Sequence, residues 1–180
     1  MAAGEWVGGM VARQCEGCFR WIKDAFWREA AIVRAAWNRR MSDAGCIFCR
    51  IGAGEIPSAK VLEDASCVAF MDIGPLAEGH VLVIPRDHYE TIDEVPAEIA
   101  SAMLGHLPAL ARAVGAVTGC KGVNILQNNG RVAHQVVMHV HFHIIPRNPG
   151  DAFDFNWPAG AYEGGRADEL AAAIRGELPA

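Results

Sequence analysis

His139-Val140-His141-Phe142-His143-Ile144-Ile145-Pro146 sets three histidines at alternate positions inside an apolar run. Strand side chains alternate in direction, so this spacing sends all three imidazoles to one face and Val140, Phe142 and Ile144 to the other, where they can fill a core. Neighbouring imidazoles then lie about 7 Å apart. A ring that titrates near neutrality can serve as nucleophile, proton carrier or metal ligand. Two chemistries stay open on these residues alone: hydrolysis at a metal held by the His-x-His pair, or covalent catalysis in which one imidazole attacks phosphorus.

Outward from this strand the chain reads as a succession of short strands. Lys60–Glu63 and Cys67–Asp72 flank the turn Asp64-Ala65-Ser66, His80–Pro85 is entered through Gly79, and Gly122–Gln127 and Met138–Pro146 follow. Pro96 begins a helix with Ile99, Met103, Leu107, Leu110 and Val114 at helical period, ending near Gly119, and Pro108 should kink or split it. A short helix over Ala167–Ile174 closes the chain. Strands in hairpin-like succession around one long helix predict an α+β fold with a five-stranded antiparallel sheet.

The 180 residues suffice for one domain with a sizeable core. With 52% hydrophobic and 21% charged residues and a net charge of −5, the whole chain carries no nucleic-acid footprint, and no uncharged apolar run reaches the length of a membrane span. The charge is uneven. Residues 1–40 are net +3, which leaves −8 for the rest, and they hold four of the five tryptophans. Within them Ile22, Phe26, Ala30, Val33 and Trp37 form an apolar stripe at helical spacing among Arg and Lys. That stripe reads as an amphipathic membrane-surface or partner-binding helix, or as translation from an upstream start with Met41 as the true beginning. The expected organisation is an N-terminal extension over 1–40 and a domain over 41–180. Six cysteines include two Cys-x-x-Cys pairs, Cys15/Cys18 and Cys46/Cys49; without a secretory signal they favour metal or reduced thiols in the cytoplasm over disulfides. Cys15 and Cys18 lack a nearby second ligand pair, so no metal is assigned to them.

Asn128-Asn129-Gly130-Arg131 follows the fourth strand, and Gln135 precedes the fifth. Amides converging on a strand end are good neutral donors to phosphate oxygens, so Asn128 and Gly79-His80 can face the same pocket as the histidine row.

In this order the chain resembles the histidine triad (HIT) superfamily of nucleotide hydrolases and transferases. The matching residues are Cys46-Ile47-Phe48-Cys49, Gly54-Glu55-Ile56-Pro57, Phe70-Met71-Asp72-Ile73, Gly79 to Pro85, Asn128 to Arg131, and His139 to Arg147. Residues 1–40 match nothing in the family, and the last thirty match only loosely. The resemblance implies that His141 is the nucleophile, attacking the α-phosphorus of a nucleotide to form a nucleotidyl-imidazole that water then hydrolyses. It further implies that His143 and Asn128 contact the phosphate, helped by the backbone around Gln135. The nucleoside is expected in a cleft of Ile47, Phe48, Ile51, Phe70, Ile73 and Leu82, with Asp72 accepting from the ribose hydroxyls. An apolar slot suits a purine of either kind, and a carboxylate suits a diol. A homodimer whose two sheets join is also implied, and no organic cofactor.

Cys46 and Cys49 have the spacing of a zinc half-site. By resemblance to zinc-bearing relatives, His88 and His139 supply the other half, giving a closed structural site that commits His139 to metal and leaves His141 free. His106, on an apolar stretch of the helix, reads as a packing or surface residue. Two positions depart from the family. His134 stands where glycine is common, which costs something if the backbone there needs positive φ. Val136 stands where some members have Ser or Thr to protonate the leaving group. The expected function is therefore a cytoplasmic nucleotide hydrolase acting on nucleoside phosphoramidates or dinucleoside polyphosphates. The alternatives are a nucleotide-binding regulatory protein with weak turnover and a zinc-dependent hydrolase using the His-x-His pair.

Overall fold

Alternation in the strands decides which residues meet, in a computed structural model that describes residues 45–153 and 158–179. The stripe over 22–37, the 1–40 boundary and Cys15/Cys18 lie outside the described residues. Five strands, β1 (Lys60–Glu63), β2 (Cys67–Met71), β3 (Val81–Pro85), β4 (Gly122–Gln127) and β5 (Phe142–Arg147), form one antiparallel sheet in the order β1-β2-β3-β5-β4. Helix α1 (Ile47–Ala53) precedes them, and α2 (Ala97–Leu104) and α3 (Leu107–Thr118) link β3 to β4. The fold is α+β, as expected.

Both faces of the central strands are covered, so β2 and β3 read as unbroken apolar runs rather than as alternating ones. Cys67, Ala69, Val81, Val83, Val140 and Ile144 face α2 and α3, packing on Met103, Leu107, Leu110 and Val114. Val68, Phe70, Leu82 and Ile84 point the other way, against Cys46, Phe48, Cys49 and Ile51 of α1 and its N-terminus. Full burial of one such side chain contributes roughly 1.5–3 kcal/mol.

The expected long helix is two. Gly105 and His106 separate them, and Pro108 sits in the first turn of α3, where its missing N–H costs nothing. Ala97–Thr118 has the length and apolarity to cross a membrane by composition alone, yet Met103, Leu107, Leu110 and Val114 are buried against the sheet. His106 ties this break to the β1–β2 turn: its Nε2 lies 2.6 Å from Asp64 Oδ2, while Asp64 Oδ1 accepts from the backbone N–H groups of Ser66 and Cys67.

The strand expected over Met138–Pro146 begins only at Phe142 and runs to Arg147. Residues 139–141 spend their polar groups elsewhere: Val140 N–H donates to Tyr89 O at 2.7 Å, and His139 O accepts from the His141 ring at 2.6 Å. Gly79 turns the chain into β3 at φ 91°, and a Cβ there would strike the Thr118 side chain.

The chain divides into Met1–Pro149, which holds the sheet, and Gly150–Ala180. The division falls inside the stretch 41–180 that reads as one domain. In the second unit, α4 spans Arg166–Glu177, longer than expected, with Asp168 and Glu169 in its first turn and Arg175 in its last, as the helix dipole favours.

Candidate active site and metal centre

The histidine row keeps one face although two of its three residues lie outside the ladder. His139 and His141 are buried and His143 is half-buried, all on the side covered by α1. Phe48 fixes that side. Its ring lies edge-on to His141 at 5.2 Å between centroids, to His139 at 6.0 Å and to Phe70 at 5.7 Å.

Hydrogen-bond partners assign the tautomers. A carbonyl can only accept, so the 2.6 Å contact between His141 Nδ1 and His139 O puts the proton on Nδ1 and leaves the Nε2 lone pair free. His80 shows the opposite pattern. The Leu76 N–H donates to His80 Nδ1 at 3.2 Å, so the proton sits on Nε2, which lies 2.9 Å from His143 Nδ1. His143 Nδ1 must then accept, and its Nε2 carries a proton. The chain Leu76–His80–His143 thus turns a backbone donor into a donor on the ring next to His141, whose centroid is 4.9 Å away.

Burial holds all four rings neutral at pH 7. It pushes His143 down to about 4, with His141 and His80 adding to the effect. It lowers His141 as well, opposed by the His139 carbonyl and by Asp72. His80 is lowered by burial against the pull of Asp72, whose Oδ2 stands 3.5 Å from Nδ1. A neutral imidazole with an unprotonated Nε2 is the nucleophilic form.

The expected nucleoside cleft divides in two. Phe48, Ile51, Phe70 and Leu82 are packed core residues, whereas Ile47 and Ile73 are exposed at 46% and 102%. Asp72 is half-buried, with Oδ1 accepting from Gly74 N–H at 2.8 Å. Asn128 is half-buried, and among the described residues its side-chain amide has no hydrogen-bond partner. Gln135 differs, because its buried carboxamide is consumed by Gly130 N–H and Val137 O within the loop that follows Asn128 and by Glu90 O outside it. That engagement and the part played by Asn129 are invisible in the sequence, where Asn-Asn-Gly signals only a turn. His134 adopts φ 66°, the single non-glycine residue with positive φ among those described. Val136 is 81% exposed.

A second cluster lies behind the row. Cys46 Sγ and Cys49 Sγ each stand 3.5 Å from His139 Nδ1, and Cys49 Sγ stands 3.3 Å from His88 Nδ1. All four donor atoms lie within 4.8 Å of one another. Tetrahedral zinc, with Zn–S about 2.3 Å and Zn–N about 2.0–2.1 Å, separates sulfur from nitrogen by about 3.6 Å. The residues therefore fit the ion in donor type, number and spacing. The partner of His139 Nε2 agrees: Pro85 O accepts from it at 3.2 Å, which directs the Nδ1 lone pair into the cluster. Burial, reinforced by His88 and His141, pushes His139 down to about 4, so it is in the ligating neutral state. The expected ligands are thus brought together from α1, the β3–α2 connection and the histidine row.

Fold and site together define an α+β protein with a neutral histidine centre backed by a Cys2His2 cluster. The sequence pattern of the HIT domain matches residues 53–150. Adenosine 5'-monophosphoramidase HNT1 of Candida albicans is 41% identical over 142 residues, 76% of this chain and 93% of that protein. A HIT family protein of Bacillus subtilis superposes with a TM-score of 0.73 at 41% identity, covering 76% of this chain and 99% of that one. A zinc-bound histidine triad family protein of Mycobacterium smegmatis superposes at 0.59 with 33% identity, covering 76% and 100%. The chain belongs to the HIT family.

Proposed function

We propose that this chain, a nucleotide hydrolase of the HIT family, cleaves at the α-phosphorus of nucleoside phosphoramidates or dinucleoside polyphosphates through a nucleotidyl-His141 intermediate. The observation that carries the reading is the His141 tautomer: Nδ1 is bound to the His139 carbonyl at 2.6 Å, so the lone pair is on Nε2. His141 Nε2 attacks phosphorus, and the bond to the leaving group breaks with its electron pair, which takes up a proton. Water then attacks the phosphorus and gives up a proton to solvent, balancing the one taken from solvent by the leaving group, as the P–N bond breaks and its pair returns to Nε2. Through both steps the His139 carbonyl stabilises the charge on the substituted imidazole. The Nε2–H of His143, set by His80, and the amide of Asn128 are the donors for the phosphoryl oxygens. The purine of the nucleotide lies by Ile47 and Ile73, against the wall of Phe48, Ile51, Phe70 and Leu82, and Asp72 accepts from the ribose. The name of the Candida relative favours adenosine and an amine leaving group.

Zinc bound by Cys46, Cys49, His88 and His139 supplies structural closure, since four protein donors leave no open position for water. This argues against a catalytic ion on the His-x-His pair. A homodimer joined through β4 is supported by its position at the sheet edge, with Ile125 on the strand and Val117 on α3 both exposed. A cytoplasmic location is supported by Cys67 and Cys120, which form no disulfide among the described residues. The second reading, a nucleotide-binding regulator with weak turnover, is favoured by Val136, which offers no proton to a leaving amine.

One panel decides between the two. Parent and His141→Ala are assayed on nucleoside 5'-phosphoramidates and a dinucleoside polyphosphate, with nucleoside monophosphate binding measured in parallel. The parent should turn over at least one class. His141→Ala should lose turnover while keeping binding, because removal of the nucleophile closes the covalent route and leaves the pocket standing. Parent-like turnover in His141→Ala refutes the mechanism, and binding without turnover in the parent selects the regulator.

A further inference from the structure

The Gln135 carboxamide is 1% exposed, and its donors are already taken. Nε2 donates to Glu90 O at 2.6 Å and to Val137 O at 3.2 Å, and Oε1 accepts from Gly130 N–H at 2.7 Å. Giving the N–H that reaches Glu90 O to a phosphate would break the shorter of these hydrogen bonds, whereas Val137 O also accepts from His139 N–H at 2.9 Å. An unmade bond at such a site costs about 1–3 kcal/mol. The side chain is therefore spent on holding a loop. Gly130 O closes that loop by accepting from the backbone N–H groups of Ala133 and Gln135, each at 3.1 Å. Asn129 makes a second attachment to the same connection: its Oδ1 accepts from Ile92 N–H at 2.8 Å, and Gln127 braces it from the other side.

The connection that receives both attachments is itself anchored. His88 lies against Cys49, Tyr89 O accepts from Val140 N–H at 2.7 Å between His139 and His141, and Tyr89 and Ile92 pack on the helix-side core. Residues 88–92 thus bear on the thiol cluster, the histidine row and the loop after β4 at once.

We propose that Gln135 is a positioning residue which, with Asn129, hangs the 128–137 loop on the backbone of residues 90–92 and so sets the distance of Asn128 from His141. The proposal rests on the reading of His141 as nucleophile. Attack requires reacting atoms near 3–3.5 Å, and a displacement of about 1 Å costs on the order of 100-fold in rate. The loop therefore acts on the chemical step more than on ground-state binding.

The test compares Gln135→Met, which keeps length and loses every side-chain hydrogen bond, with Asn129→Ala, at an exposed side chain. Both are measured for kcat and KM on a fluorogenic nucleoside 5'-phosphoramidate, for Kd with adenosine 5'-monophosphate, and for amide exchange at Gly130 and Ile92. Gln135→Met should lose about 10- to 100-fold in kcat, with KM and Kd within about threefold. Asn129→Ala should lose about three- to tenfold in kcat, also at constant KM, and its Ile92 amide should exchange faster. A tenfold rise in KM and Kd for Gln135→Met with kcat preserved would make the carboxamide a direct phosphate ligand and overturn the proposal. So would parent-like kcat in both variants, or an unchanged Ile92 amide in Asn129→Ala. If Gln135→Met does not fold, Asn129→Ala decides alone. Turnover that survives in His141→Ala counts against the nucleophile and not against the loop, whose attachment the exchange rates report independently.

Discussion

His134 shows what a single residue can cost. Its φ of 66° is where a Cβ crowds the backbone, and the left-handed region costs a non-glycine residue about 1–2 kcal/mol. Glycine relieves that crowding but adds freedom to the unfolded chain, worth about 0.4–1 kcal/mol in the other direction. His134→Gly should therefore stabilise by about 0.5–1 kcal/mol, raising Tm by about 1–4 °C in thermal unfolding. A fall in Tm would mean that the imidazole makes a stabilising contact. At this scale the sequence was half legible. A departure from glycine is visible as a letter, but whether the backbone needs positive φ is decided by the turn Arg131–Ala133, which closes on Gly130.

Among the elements, the thiol–imidazole cluster joins three that share no hydrogen-bond ladder: α1, the connection after β3, and the row before β5. Protein purified without added metal should carry about one equivalent of zinc per chain. Chelation, or Cys46→Ser, should lower Tm more than it lowers the rate at a temperature where the apo-protein stays folded, because a closed site contributes to folding. Metal analysis that finds none, with an unchanged Tm in Cys46→Ser, excludes the site. His143 also sets a pH dependence. Unfolded, it titrates near 6.5; folded, it resists protonation until about 4. Between those limits unfolding takes up protons, so stability rises with pH and is lost as the pH drops from about 6.5 towards 4. Thermal scans should show Tm level above pH 7 and declining through that window. The decline should shrink in His143→Gln, and a flat Tm from pH 7 to 4.5 would contradict the buried neutral state of this ring.

For the whole molecule, the described residues up to Pro149 contain the complete sheet, both apolar clusters and every proposed ligand. A chain beginning at Met41 should therefore fold and turn over like the parent, as measured by circular dichroism and steady-state rate. Loss of soluble protein would assign the stripe Ile22–Trp37 a packing or partner role. By itself the sequence determined the strands and the break at Pro108, because alternation, helical period and proline geometry are properties of local chain order. The residues alone left two chemistries open at the histidine row, and the role of His141 is what the resemblance to the HIT family implies. Only the tertiary structure decided that the histidine row leaves the ladder before Phe142, that Phe48 lies edge-on to His141, and that Gln135 is turned inward. Each of those outcomes depends on a partner distant in the chain, such as Tyr89 O for Val140, Phe70 for Phe48 or Glu90 O for Gln135, and no local period encodes where such partners fall.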